Sequence, residues 1–171
     1  MKSYWEVAKP LFDQIDYGND GQVFLKSCAS IPRSSVLLFS AHMALAEVHN
    51  GGFLQLFWNN TGVLVPEAIE GFLAIGMPKL ASILSEASLP LGTPYPRNRD
   101  DRWDALLVAS KRDCDELEQM FEQAENLYLG FVAATSALDF EKLDTIFWET
   151  ADTENGGFQE AATRYAQEFS S

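Results

Sequence analysis

Apolar side chains recur three and four positions apart along nearly all of this chain, while the period-two alternation of a half-buried strand is almost absent. This leaves few architectures open. Amphipathic helices must bury their apolar stripes against one another, because no sheet is available to cover them. Gly, Pro and Asn set the punctuation. A first helix is expected over Tyr4–Ile15, closed by the turn Tyr17-Gly18-Asn19-Asp20-Gly21, and a short one over Gln22–Ala29. Pro32 opens a long apolar helix, Ser34–His49, with Leu37, Leu38, Ala41, Leu45 and Val48 along one side. Asn50-Gly51-Gly52 stops it, since glycine accepts the left-handed conformation that closes a helix, and Phe53–Asn59 begins the next across a tight corner. Pro66 opens a helix to Ile75, and Gly76-Met77-Pro78 divides it from Lys79–Ala87. Pro90–Arg99, with Pro90, Gly92, Pro94 and Pro96, reads as the one long loop. Helices resume over Trp103–Ala109, Asp113–Ala133, Phe140–Glu149 and Phe158–Phe169. The fold class is all-α: a single compact multi-helix domain over residues 1–171, with short connections.

A chain of 171 residues with 47% hydrophobic side chains is long and apolar enough to build a core. Its first residues, Met1–Phe12, mix Lys2 and Lys9 with Glu6 and Pro10 and lack the apolar stretch of a signal peptide. The longest apolar run, Val36–Phe39, is far short of the roughly 20 residues that cross a bilayer. Cys28 and Cys114 stand apart, each within a helical pattern, so both read as buried small hydrophobes and neither a disulfide framework nor a zinc site is suggested. A cytoplasmic protein is expected, and the sequon Asn59-Asn60-Thr61 then has no consequence.

The net charge of −13 is unevenly placed. Met1–Arg112 carries 11 acidic and 10 basic residues; Asp113–Ser171 carries 14 acidic and 2 basic. Between Arg112 and Lys142 there is no Lys or Arg at all. On a helix over 113–131, Leu117, Met120, Phe121, Ala124, Leu127, Tyr128 and Phe131 fall on one stripe, and Asp115, Glu118, Glu122 and Glu125 form a ladder on the opposite side. Like charges three or four apart destabilise a helix by roughly 0.2 to 0.5 kcal/mol per pair, so stability alone favours mixed signs there. A solvated, solubilising face explains such a row in the simplest way. The functional alternative is that uncompensated carboxylates imitate the phosphates of nucleic acid, whose duplex carries one negative charge per about 1.7 Å of axis. Asp139, Glu141, Asp144, Glu149, Asp152 and Glu154 would extend that surface. Direct binding to nucleic acid or to acidic membranes is disfavoured, and basic proteins are the natural partners.

The tetrapeptide Asn-Gly-Gly-Phe occurs twice, at Asn50–Phe53 and Asn155–Phe158, each between two helices; shared turn chemistry accounts for this better than duplication. The first copy sits in a longer pattern: Glu47, Asn50, Gly51, Gly52, Phe53, Gln55, Phe57, Asn59 and Gly62. This pattern resembles the bacterial DNA-mimic-like domain family, long known as a domain of unknown function, with coverage expected over Ser34–Glu149. The resemblance implies an all-helical, acidic, homodimeric protein; at least one family member occupies the DNA-binding surface of a transcription regulator. The motif residues themselves read as structural, with Gly51 and Gly52 permitting the corner, Asn50 and Asn59 capping helix ends, and Phe53, Phe57 and Trp58 filling the core.

Catalytic signatures are missing. His42 and His49, the only histidines, lie two helical turns apart and read as solvated or capping residues, and Glu47 and His49 point to different sides of a helix. No nucleophile elbow or phosphate-binding glycine loop is present, and Glu67 with Glu70 is an ordinary acidic-helix pair. The expected role is therefore that of an acidic protein-binding module without enzymatic activity, metal or cofactor, a DNA mimic that occupies the basic surface of a DNA-binding protein. An immunity-type inhibitor of a basic toxin is the alternative, and a small-ligand binder or enzyme using a cleft near Glu47, Asn50, Gln55 and Asn59 is a third reading.

Overall fold

The computed structural model describes residues 3–18 and 20–169. Among them stand ten α-helices and no strand: α1 (Tyr4–Ala8), α2 (Gly21–Cys28), α3 (Arg33–Trp58), α4 (Val65–Ala74), α5 (Pro78–Ala87), α6 (Arg99–Ala109), α7 (Cys114–Gln123), α8 (Leu127–Thr135), α9 (Glu141–Thr153) and α10 (Phe158–Glu168). The all-α architecture is the one the periodicity requires. The expected first helix is interrupted: α1 gives way to a 3₁₀ turn over Lys9–Asp13, because Pro10 lacks the N–H that an α ladder needs. The turn after it ends at Asp20, whose carboxylate accepts the N–H groups of Gln22 at 2.7 Å and Val23 at 3.3 Å and so starts α2.

The axis of the fold is α3, against which α1, α4, α6, α9 and α10 all pack. It runs through the Asn50-Gly51-Gly52 segment as one kinked helix, the corner falling at Gly52, with φ +75° and ψ −177°. Only glycine enters that region without strain. The corner turns Phe53, Leu56 and Phe57 into the core beside Leu38, Ala41 and Val48, all fully buried or nearly so. Aromatic edges knit the helices together there: Phe53 meets Phe147 of α9 at 5.2 Å, and Phe72 of α4 meets Phe147 at 5.8 Å. A second, smaller cluster joins Leu11, Ile15, Phe24, Val36, Phe39 and Val63 under the N-terminal segment.

The expected helix over 113–133 is broken in two. Ala124 is extended (φ −80°, ψ 143°) and the Asn126 side chain accepts the Leu129 N–H at 3.0 Å, capping a fresh helix. The break lets α7 fold back on α8, where Phe121 closes against Gly130 so tightly that a Cβ at that glycine would lie 2.5 Å from the ring. α8 in turn packs on α6. α7 is an outer helix with no buried residue. No helix among the described residues is long and apolar enough to cross a membrane.

Candidate functional site

Asp115, Glu118 and Glu122 lie on the outer side of α7, exposed, and no ion pair or hydrogen bond engages them among the described residues. Asp113 and Glu116, by contrast, are used locally in a capping box at the start of the helix. Glu125 does not extend the ladder. It is exposed in the break between α7 and α8, where the helical spacing no longer holds. Cys114, expected to be buried, is exposed at the first position of α7, a helix with no buried residue; Cys28 is half-buried as a small hydrophobe.

The secondary acidic residues separate into two groups. Asp139, Glu141, Glu149 and Asp152 are exposed. Asp144 and Glu154 are turned inward, contrary to the expectation of a partner-facing role. Asp144 accepts the Phe53 N–H at 2.7 Å, at the corner of α3 where that amide has lost its helical acceptor. Burial pushes the Asp144 carboxyl above the ordinary aspartate range, opposed by that hydrogen bond and assisted by repulsion from Glu141. Glu154 accepts the N–H groups of Lys79 and Leu80, each at 3.0 Å, and so caps α5 from across the fold. The two Asn-Gly-Gly-Phe copies agree at the second glycine, Gly52 and Gly157 both having positive φ, and in burying Phe53 and Phe158, but differ before it: Asn155 and Gly156 also have positive φ, whereas Gly51 is extended at φ −161°.

Arg97, Arg102 and Arg112 are spent inside the fold. Arg102 of α6 is fully buried without a carboxylate partner; its guanidinium donates to the carbonyls of Phe57 (3.1 Å) and Asn59 (2.8 Å) at the end of α3, and to the Arg97 carbonyl. A helix C-terminus carries partial negative charge, so the cation is placed where the backbone compensates it. Arg97 forms a fork with Glu67, at 2.8 and 2.9 Å, where Glu67 is 3% exposed, and Arg33 bridges Glu67 and Glu70. Arg112 donates to the Ala134 carbonyl and to Ser136. Arg102 was accessible to sequence reasoning: it stands four residues before the buried Leu106, on the apolar phase of its helix.

The Glu47 motif forms a polar network. Gln55 and Asn59 donate their amide N–H groups to Oε2, each at 2.9 Å, and Thr61 donates its hydroxyl to Oε1 at 2.7 Å. Asn59 therefore does not cap a helix with its side chain, and Asn50 stands exposed at the corner without a capping bond. Gly51 and Gly52 make the corner and Phe53 and Phe57 the core, as the sequence indicates. Next to the network is a cleft of about 290 Å³ lined by Glu47, Trp58, Asn59, Asn60, Thr61 and Arg99. A larger cleft of about 790 Å³ opens beside the start of α10, with His49, Asp152, Glu160 and Arg164 at its edge. His42 is not solvated: it is half-buried against Tyr4, Trp5 and Phe12, and burial pulls its pKa below the ordinary histidine value. No group of His, Cys, Asp and Glu arranged to hold a metal ion occurs among the described residues.

The model of a family described as DMP19-like protein matches residues 29–169, a span that exceeds the expected Ser34–Glu149 at both ends. Neither the curated proteins nor the solved structures contain a significant match.

Proposed function

The chain belongs to the DMP19-like protein family, and from that premise we propose that it is an acidic binding module that occupies the basic surface of a DNA-binding protein in place of nucleic acid. The observation that carries the reading is the outer face of α7. Asp115, Glu118 and Glu122 project there from a helix that has no fully buried residue and touches mainly α8, with no cation near enough to pair among the described residues. Their Cα atoms span about 10 Å of helix axis, so three negative charges follow one another at a spacing that a row of phosphate-binding Arg and Lys side chains can meet. Arg97, Arg102 and Arg112 are engaged elsewhere, by backbone carbonyls and Glu67, and pair with none of the three. Asp139, Glu141, Glu149 and Asp152 are exposed and available to a partner that reaches α9; Asp144 and Glu154 are not part of this surface.

The test is capture from cell lysate at low salt, comparing the wild-type chain with the triple variant Asp115→Asn, Glu118→Gln, Glu122→Gln. Retention of a DNA-binding protein by wild type alone, released by duplex DNA and by rising salt, is the expected result. Equal retention by both forms, or binding indifferent to salt, makes the α7 acids a solvated face and removes the proposal.

A further inference from the structure

Glu47 is an anion held only by neutral donors. Its Oε2 accepts two hydrogen bonds, from Gln55 and Asn59, and its Oε1 accepts one, from Thr61, which leaves acceptor capacity on Oε1. Glu47 lines the 290 Å³ cleft, and so does a cation, Arg99. The Arg99 guanidinium lies 4.5 Å over the Trp103 ring, which is itself stacked on Trp58 with centroids 3.9 Å apart. Its Nη1 donates to Asn60 Oδ1 at 3.3 Å, its Nε lies 3.6 Å from Asp100, and its Nη2 has no partner among the described residues. Glu47 and Arg99 do not form an ion pair with each other.

Two opposite charges thus border one cleft without neutralising each other. They are held through consecutive residues: Glu47 by Asn59 and Thr61, and Arg99 by Asn60, the residue between them. The amides between them are oriented to match. Asn59 gives its N–H to Glu47 and keeps its Oδ1 as an acceptor; Asn60 gives its Oδ1 to Arg99 and keeps its Nδ2 as a donor. The lining thus offers free acceptors beside a negative charge, on Glu47 and Asn59, and free donors beside a positive one, on Arg99 and Asn60.

We propose that this cleft binds a free α-amino acid. The ammonium group sits on Glu47 Oε1 and Asn59 Oδ1, the carboxylate on Arg99 Nη2 and Asn60 Nδ2, and the side chain passes along the Trp58 indole toward solvent. A peptide terminus carries only one of the two charges and satisfies only one end. The inference is independent of the acidic face of α7, which lies on other residues.

Calorimetric titration of the full chain, with tryptophan fluorescence followed in parallel, tests it with glycine, L-alanine, L-leucine and L-phenylalanine as probes. Each probe is paired with its C-terminal amide and its N-acetyl derivative. Saturable binding of at least one free amino acid, about tenfold or more tighter than either of its derivatives, is expected. In Arg99→Ala the free amino acid weakens to the level of its amide, while the amide itself is unchanged; Asn60→Ala, at an exposed position, weakens the free amino acid in the same direction. No saturable binding of any probe up to about 10 mM, or N-acetyl and free forms binding equally, overturns the proposal without recourse to any variant.

Discussion

Replacing Arg102 by Leu removes a fully buried guanidinium and keeps most of the apolar volume of its stem. Three carbonyls then lose an arginine donor: those of Phe57 and Arg97, and that of Asn59, which keeps the Gly62 N–H at 3.1 Å. Each buried acceptor left unsatisfied is worth about 1–3 kcal/mol, and the losses are not additive, because rearrangement at one relieves its neighbours. Removing the buried charge itself gives back part of its desolvation penalty. The expected net loss is about 3–5 kcal/mol, a large part of the roughly 5–15 kcal/mol that holds a typical domain. Urea unfolding followed by tryptophan fluorescence measures it as a fall in midpoint at constant slope. Arg102→Lys, a single compact ammonium in place of a planar fork, is expected to recover less than half of the loss. A loss below about 1 kcal/mol for Arg102→Leu would show that the end of α3 is closed by something other than this side chain, and the reasoning would fail.

Three further outcomes follow from the same geometry. Gly52→Ala places a Cβ 2.5 Å from Asp144 Oδ2 at a backbone conformation with φ +75°, so a destabilisation of about 2–4 kcal/mol is expected in the same unfolding assay; a neutral result would mean that the corner is not fixed as described. Asp144 has a folded-state pKa raised by burial, so its folded form holds the proton more readily than the unfolded chain does. Its contribution is favourable at acid pH and is lost as pH rises from the ordinary aspartate value through the raised one. Asp144→Asn retains an oxygen for the Phe53 N–H and abolishes that component, so the stability difference between variant and wild type should shift in the variant's favour from pH 4 to pH 7; a constant difference refutes the assignment. The Asp115→Asn, Glu118→Gln, Glu122→Gln triple variant relieves like-charge contacts on α7 and should unfold at the same or slightly higher temperature, by roughly 0.2–0.5 kcal/mol per pair; a clear loss of stability would mean that these acids serve the fold.

The fold was legible because helical periodicity and Gly/Pro punctuation are local properties, carried by a few residues each. Pro66 and Pro78 both fall within the first helical turn of α4 and α5, and Gly52 makes the corner that the Asn-Gly-Gly segment announced. What escaped was competition among signals of similar strength. The stripe Leu117–Phe131 is as helical as any other in the sequence, yet Asn126 offers its own side chain as a cap, and folding back brings Phe121 onto Gly130. A cap and a long-range contact together outweigh the propensity of three residues to continue. The carboxylates were misjudged for a related reason. Nothing in the neighbourhood of Glu154 or Asp144 reveals that the amides of residues 79, 80 and 53 will come within 3.0 Å of them, because those contacts join segments far apart in the chain. The Glu47 network, by contrast, spans only residues 47–61, and its spacing was visible while its chemistry was not: the amides of Gln55 and Asn59 could have capped helices, and instead they hold an anion.

The distribution of acids and arginines follows one rule. Where a carboxylate meets an exposed amide or a guanidinium inside the fold it is consumed, as at Asp20, Glu67, Asp144 and Glu154. Where arginine meets the bare carbonyls at a helix end it is consumed too, as at Arg102 and Arg112. The charges left over are those that the fold does not need, and they are mostly negative because the basic residues are few and Arg97, Arg102 and Arg112 are engaged inside the fold. α7 concentrates this remainder on a helix that, alone among the α-helices of the described residues, has no buried residue. Its substitution can therefore change what the protein binds while leaving the core untouched, which is the separation that the triple variant exploits: stability and partner capture must respond to it independently if the acidic face is a binding surface.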